Sequence, residues 1–315
     1  LVTGVQTCAL PISSSGFERR LYNAGEIKNW GYELSLTGQP VQRGNFKWET
    51  RINFSKNNSE VVSLLDDIPR FQLANRSSYL YVYAEVGKPY AYLRGLGVKR
   101  DNQGRMLLED GGGLLQKNTD MPFGTASPDW LAGIGNTFSW KGLDLYFLVD
   151  IKQGGVMYSG TISRMLTNGM FAETLEGRDD FYLHSVIWGE NTSELTGGAR
   201  WDAYFNDGTK NTKFMTPQNY EYARPNFAEF VIYDASFVKL REVSFGYYFP
   251  KLLLAKTPFE NARISATGRN LWILHSNTPQ GIDPEASSTS GNGQGIENGA
   301  LPPNAIYGIN VRLIF

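Results

Sequence analysis

Trp30-Gly31-Tyr32-Glu33-Leu34-Ser35-Leu36-Thr37-Gly38 alternates without a break, with Trp30, Tyr32, Leu34 and Leu36 apolar and Gly31, Glu33, Ser35 and Thr37 between them. A period of two places every second side chain on one side of an extended chain and predicts a strand. Phe46-Lys47-Trp48-Glu49-Thr50-Arg51-Ile52-Asn53-Phe54 repeats the pattern, with an aromatic and aliphatic side (46, 48, 52, 54) and a charged side (47, 49, 51). Residues 39–44 (Gln-Pro-Val-Gln-Arg-Gly) lie between the two runs and read as a hairpin turn.

Working outward, a second pair has Ala132, Ile134, Phe138 and Trp140 on one side, then Leu143, Leu145, Phe147, Val149 and Ile151, with Lys141 and Gly142 as the turn. A third pair covers about 235–249 and 263–271, joined by 250–262, and a last strand covers 305–315. Between Leu240 and Val243 the apolar parity changes from even to odd, which predicts a β-bulge at Arg241 or Glu242. The short links at 39–44, 141–142 and 250–262 alternate with long polar links at about 55–129, 152–234 and 272–304.

In a seven-strand meander this order puts every short turn at one end and every long loop at the other. That is the asymmetry of an outer-membrane barrel with short periplasmic turns and long extracellular loops. The expected fold is therefore all-β, an antiparallel transmembrane β-barrel fragment. Aromatics near the strand ends, Trp30, Phe46, Phe54, Trp140, Tyr247, Phe249, Trp272, Tyr307 and Phe315, are placed as interfacial girdles. A soluble β-sandwich shares the same period, so a secreted carbohydrate-binding sandwich stands as the alternative. Seven strands are odd in number where single-chain bacterial barrels use an even number, so the chain is expected to be a piece.

Composition agrees. Lys and Arg number 30 against 31 Asp and Glu, a net charge of −1 that argues against a nucleic-acid platform. Charged residues make up 19% and aromatics 13%, a balance that favours an all-β chain. A mean hydropathy of −0.32 does not count against a barrel, whose strands are apolar only at every second position. One cysteine, Cys8, and two histidines, His184 and His275, leave no disulfide framework and little for a metal cluster. Residues 1–12 (LVTGVQTCALPI) have neither a charged leader nor a cleavage site. They resemble a translated sequencing adaptor and are expected to be non-native, leaving 13–315 as the domain.

The run Asn23-Ala24-Gly25-Glu26-Ile27-Lys28-Asn29-Trp30-Gly31-Tyr32-Glu33-Leu34 resembles a segment of TonB-dependent outer-membrane transporters. Further blocks resemble their SusC/RagA-type branch: Ser127-Pro128-Asp129-Trp130 with Gly133 and Asn136, Lys141-Gly142-Leu143-Asp144-Leu145, and Gly154-Gly155 with Tyr158. So do Val238-Lys239-Leu240-Arg241-Glu242-Val243-Ser244, Gly268-Arg269-Asn270-Leu271 and Gly281-Ile282-Asp283-Pro284-Glu285. The resemblance implies the C-terminal strands of a 22-stranded, plugged barrel that imports oligosaccharides or peptides across a Bacteroidetes-type outer membrane. It implies as partners a SusD-like surface lipoprotein, the TonB complex through a missing N-terminal part, the barrel-assembly machinery and outer-membrane lipid. Phe315, with Leu313 and Tyr307 on the same side, resembles the terminal assembly signal, although Asn310 stands where the family pattern often has glycine.

No enzyme is expected. Asp179-Asp180 fixes no catalytic separation, and His184 has no nucleophile motif beside it. The stretches 101–104, 109–113 and 206–208 carry oxygen donors without calcium-loop spacing and read first as turns, as does Asp283-Pro284-Glu285. No cofactor is expected, and calcium in the loops is the one cation left open. Loop aromatics that would stack on sugar rings are Tyr79, Tyr81, Tyr83, Trp188, Trp201 and Tyr204. The alternative for each is packing within the loops or against a partner, and Arg178, Arg200 and Arg224 are open between salt bridges and ligand contact.

Overall fold

The computed structural model describes residues 6–9, 20–23, 25–65, 68–77, 79–110, 114–179, 197–288 and 291–315. A short ribbon pairs β1 (Gln6–Ala9), inside the segment set aside above, with β2 (Arg20–Asn23). The frame is one antiparallel seven-stranded sheet. In chain order its first four strands are β3 (Gly25–Arg43), β4 (Phe46–Leu64), β9 (Trp130–Trp140) and β10 (Leu143–Gln153). β13 (Phe237–Tyr248), β14 (Asn261–Ser276) and β16 (Ile306–Ile314) complete it, and neighbours in sequence order are neighbours in the sheet.

The register keeps the two sides apart across its width. One row runs Trp48, Phe138, Leu145, Phe245, Ala266, Ile309. The row behind it runs Glu49, Thr137, Tyr146, Ser244, Thr267, Gly308. Burial is inverted relative to a water-soluble sheet. In β13 Phe245 is 53% exposed and its neighbour Ser244 8%; in β14 Ile264 is 42% exposed and Ser265 4%. Among the described residues no second sheet covers the apolar side, which sets aside the sandwich, since a sandwich buries that side between two layers. An apolar side of this extent facing outward suits lipid. The polar group on that side is provided for: Trp48 donates its indole N–H to Asn136 Oδ1 at 3.0 Å.

The hairpins follow from local chemistry. Lys141 and Gly142 have φ of +47° and +87°, the two-residue turn whose twist matches its strands. The expected turn at 39–44 is corrected. β3 continues to Arg43 through an irregularity between Gly38 and Val41, and the turn is Gly44–Asn45. Pro40, with no N–H to give, sits at that irregularity on an edge strand, where proline is tolerated. The parity slip in β13 is a bulge: Leu148 pairs Glu242 and Val149 pairs Leu240, leaving Arg241 as the extra residue.

The strands outrun the alternation, β4 to Leu64 and β14 to Ser276. A bilayer needs only about 9–11 residues of tilted strand, so the remainder of β4, polar on both sides from Ser55 to Glu60, stands in water, where hydrophobic alternation ends.

The long links are not structureless, as their composition suggests. They hold a four-stranded sheet of β5 (Arg70–Ser77), β6 (Leu80–Glu85), β7 (Tyr92–Val98) and β8 (Lys117–Thr125). They also hold a small sheet of β11 (Val156–Ser159), β12 (Ile232–Asp234) and β15 (Ile296–Glu297), with helices α1 (Gly160–Thr167) and α2 (Pro217–Ala223). These elements form a cap with its own apolar core. One cluster gathers Leu80, Val82, Leu93, Met157, Ile162, Leu166, Val231, Ile282 and Ile296 from all three links, and a second holds Leu96, Val98, Leu108, Leu115, Trp201 and Phe227. Among the described residues no helix is long and apolar enough to cross a membrane, which says nothing of crossing by strands.

The two sides of the sheet predict opposite responses to charge. In the protein reconstituted in lipid vesicles, Leu145→Arg is expected to cost about 2–4 kcal/mol in guanidinium unfolding, while Thr137→Arg on the polar side stays within about 1 kcal/mol. Equal costs would contradict the assignment of sides.

Candidate functional site

Where the sheet meets the cap, Lys239 and Arg241 of β13 both reach acidic partners on the polar side. Lys239 Nζ, on a side chain 6% exposed, reaches Asp283 Oδ1 and Glu285 Oε2, each at 2.7 Å. Arg241 donates to Asp150 Oδ2 (2.6 and 3.0 Å), Glu285 Oε1 (2.9 Å) and Asn270 Oδ1 (3.2 Å). Two cations thus hold three carboxylates, and the link after β14 is pinned to the sheet wall. Burial pushes the Glu285 carboxyl up, but the hydrogen bonds from Arg241 and Lys239 outweigh it and hold it below the usual carboxylate range.

The Gly-Arg-Asn-Leu block completes the site. Asn270 takes φ +51°, a left-handed conformation that asparagine tolerates, and this aims its amide at Arg241. A side chain at Gly268 would meet Leu271, so glycine there leaves the room Leu271 occupies.

A second clasp lies deeper in the cap. Glu297, 1% exposed, accepts from Ser159 Oγ at 2.6 Å, from Thr161 Oγ1, and from the backbone N–H of Ala300 at 3.1 Å. Burial raises its pKa, and these donors more than reverse that, holding the group ionised. Ser159 Oγ also caps α1 by accepting from Ile162 N at 3.1 Å. Both clasps are ion-holding joints. Each fastens a link of the cap to a neighbouring element.

The sequence-predicted aromatics divide. Tyr81 and Tyr83 stand side by side on β6, rings 6.0 Å apart, with the Arg70 guanidinium 4.9 Å from the Tyr83 ring. In the register Tyr92 and Arg94 of β7 lie opposite them, and Arg94 pairs with Glu85 at 2.6 Å. Tyr204 lies apart, under Arg105 at 4.2 Å. Tyr79 packs on the second core cluster, and Trp201, 2% exposed, is inside it, against Tyr220 at 4.2 Å and Phe230 at 6.0 Å. Trp201 therefore packs the cap, beside a polar cavity of about 360 Å³ lined by Arg200, Asp202, Lys210, Phe214 and Glu221. Trp188, Asp180 and His184 lie outside the described residues.

The loop arginines are structural in position. Arg224 pairs with Glu173 at 2.8 Å, Arg178 bonds Thr174 O at 2.7 Å, and Arg200 covers the Phe214 ring at 5.2 Å. Asp101 accepts from the N–H groups of Gln103 and Arg105, and Asp207 from Thr209, which makes both turns. Phe315 stacks edge-on with Phe259 at 5.0 Å and is 76% exposed, with Tyr307 and Leu313 on its side of β16. Sequence reasoning missed the joint between Lys239-Leu240-Arg241 and Asp283-Pro284-Glu285. Its trace was in plain view, two cations and two anions each spaced by two.

A single lipid-facing sheet, charged on its other side and capped by folded links, defines a section of a transmembrane β-barrel wall. No family model matches the chain. It is 25% identical to TonB-dependent receptor P3 of Formosa agariphila, covering 96% of this chain and 30% of the relative. It is 22% identical to TonB-dependent receptor SusC of Bacteroides thetaiotaomicron, covering 97% of this chain and 28% of the relative. Among solved structures it superposes on the RagAB peptide transporter with a TM-score of 0.63 at 20% identity, covering 96% of this chain and 31% of that one. The likeness to SusC/RagA-type TonB-dependent receptors holds along nearly the whole chain, and the chain corresponds to part of such a receptor. It spans about 30% of the length of the curated relatives it matches. Those relatives are receptors by name.

Removing one partner of the buried joint leaves uncompensated charge. Lys239→Met is expected to destabilise the docking of residues 277–288 by about 3–5 kcal/mol, read as faster proteinase K cleavage there. Unchanged cleavage would show that the joint does not hold the link.

Because Glu285 and Glu297 have folded pKa values below their unfolded ones, their stabilisation is present above the unfolded glutamate pKa of about 4.3 and is lost as pH falls through the folded values. Cap cleavage by an acid-active protease should therefore stay slow down to about pH 4.3 and accelerate below it. Glu297→Gln should weaken that dependence.

Proposed function

We propose that the receptor containing this chain is a TonB-dependent importer of oligosaccharides or peptides in the outer membrane of a Bacteroidetes-type bacterium. The chain supplies the C-terminal strands of its barrel. The observation that carries this reading is the inverted sheet, apolar side outward and charged side inward, with its long links folded at one end only. The charged side then lines the lumen and the cap faces outside, where a SusD-like lipoprotein covers the mouth. Similarity to SusC and to the RagAB transporter supports the partner and the energy source.

Within the cap, Tyr81 and Tyr83 are the proposed ligand contacts, and Tyr307, Leu313 and Phe315 are proposed as the assembly signal. The test is an uptake assay in the native host. Deleting the receptor gene should abolish accumulation of a labelled glycan or peptide pool and remove a co-purifying surface lipoprotein. Unchanged uptake, or recovery of the receptor from the soluble fraction, would overturn the reading.

A further inference from the structure

The three hairpins at the short-turn end are unequal. Two use two residues each, Gly44–Asn45 and Lys141–Gly142, whereas residues 249–260 join β13 to β14. Joining neighbouring antiparallel strands needs no such length. The extra residues form an ordered structure, the one-turn helix α3 (Lys251–Leu254). Its start is closed by Leu253 N to Pro250 O at 2.9 Å and its end by Thr257 N to Leu254 O at 2.8 Å. Leu254 is half-buried, yet Leu252 is 87% exposed and Leu253 61%.

An ordered turn that holds two adjacent leucines in the open is costly in water. It sits directly beyond the lipid-facing row. Phe249, which follows Tyr247 on that side and meets it edge-on at 5.3 Å, leads into the helix, and Phe259 at its far end packs on Phe315. Lys251 and Lys256 flank the leucines, are exposed, and make no ion pair among the described residues. Two leucines between aromatics with flanking amines match the acyl–headgroup boundary of a phospholipid leaflet, where apolar groups enter and amines reach phosphate.

We propose that residues 249–259 are a lipid anchor, with Leu252 and Leu253 inserted into the phospholipid interface below the strand ends and Lys251 and Lys256 on its phosphates. This rests on the lipid-facing sheet and extends that surface past the barrel wall.

The test places nitroxide labels at Leu252→Cys and Leu253→Cys, one at a time in a background free of other cysteines, in the full receptor reconstituted in phospholipid nanodiscs. Collision with oxygen, which concentrates in lipid, is compared with collision with a water-soluble nickel chelate. Labels at Ile264→Cys on the sheet and Asp202→Cys on the cap serve as lipid and water references. Labels at 252 and 253 are expected to show an oxygen-to-nickel ratio severalfold above that at 202 and close to that at 264. Replacing both lysines with glutamate should lower it, and an unchanged ratio would overturn their role. A water-like ratio at 252 and 253 with a lipid-like 264 overturns the anchor alone, as does a label that neither reagent reaches, which would put protein over the turn. A water-like 264 overturns the lipid-facing sheet, and the proposed function with it.

Discussion

In a hydrocarbon layer there is no water to satisfy a backbone N–H or C=O, so strands crossing it must pair with each other and turn their apolar side chains outward. The seven-stranded sheet obeys this along its whole width. Its register carries the row from Trp48 to Ile309 on one side and the row from Glu49 to Gly308 on the other. A one-residue slip would send a full set of charged groups into lipid, so irregularities are tolerated only where the sheet has left the layer or where a side chain needs re-aiming. The bulge at Arg241 is of the second kind: the extra residue lets Glu242 pair with Leu148 on the polar side and returns Val243 and Phe245 to the apolar one.

Above the layer the rules reverse. The cap must bury apolar surface from water, and it does so by pooling residues from links far apart in sequence: Leu80 and Leu93 from the first, Met157, Ile162 and Val231 from the second, Ile282 and Ile296 from the third. The two regimes are joined by charge. Lys239 and Arg241 rise from the sheet, Asp283 and Glu285 descend from the cap, and Glu297 ties the third link to the start of α1. Such joints contribute specificity of position, since a buried carboxylate accepts only the arrangement that satisfies it.

Strands with one wet and one apolar side were legible because their period is two, and the bulge was legible because parity slips between Leu240 and Val243. Strand ends were not. From Ser55 to Leu64 the chain goes on pairing in water, where hydrophobic alternation no longer has a cause. The elements inside the long links were not legible for a related reason. Their Gly, Asn and Ser content marks real turns, but the strands between those turns are short, and their core forms only when three separate links meet. Trp201 illustrates the limit for the site: an indole in a polar loop reads as a ligand platform, and here it is walled in by Tyr220 and Phe230.

Alternation in residues 30–38 and 46–54, the order of short and long links, and the parity slip at Arg241 determined by themselves an antiparallel meander with one apolar and one polar side, because those features record local geometry at every second residue. The folding of the links into one cap, the pairing of Asp283 and Glu285 with Lys239 and Arg241 across more than forty residues, and the division of the aromatics between Tyr81–Tyr83 and a buried Trp201 were decided only in three dimensions. Those contacts depend on which distant segments meet, and their energy comes from burial and charge neutralisation that no local window of sequence contains.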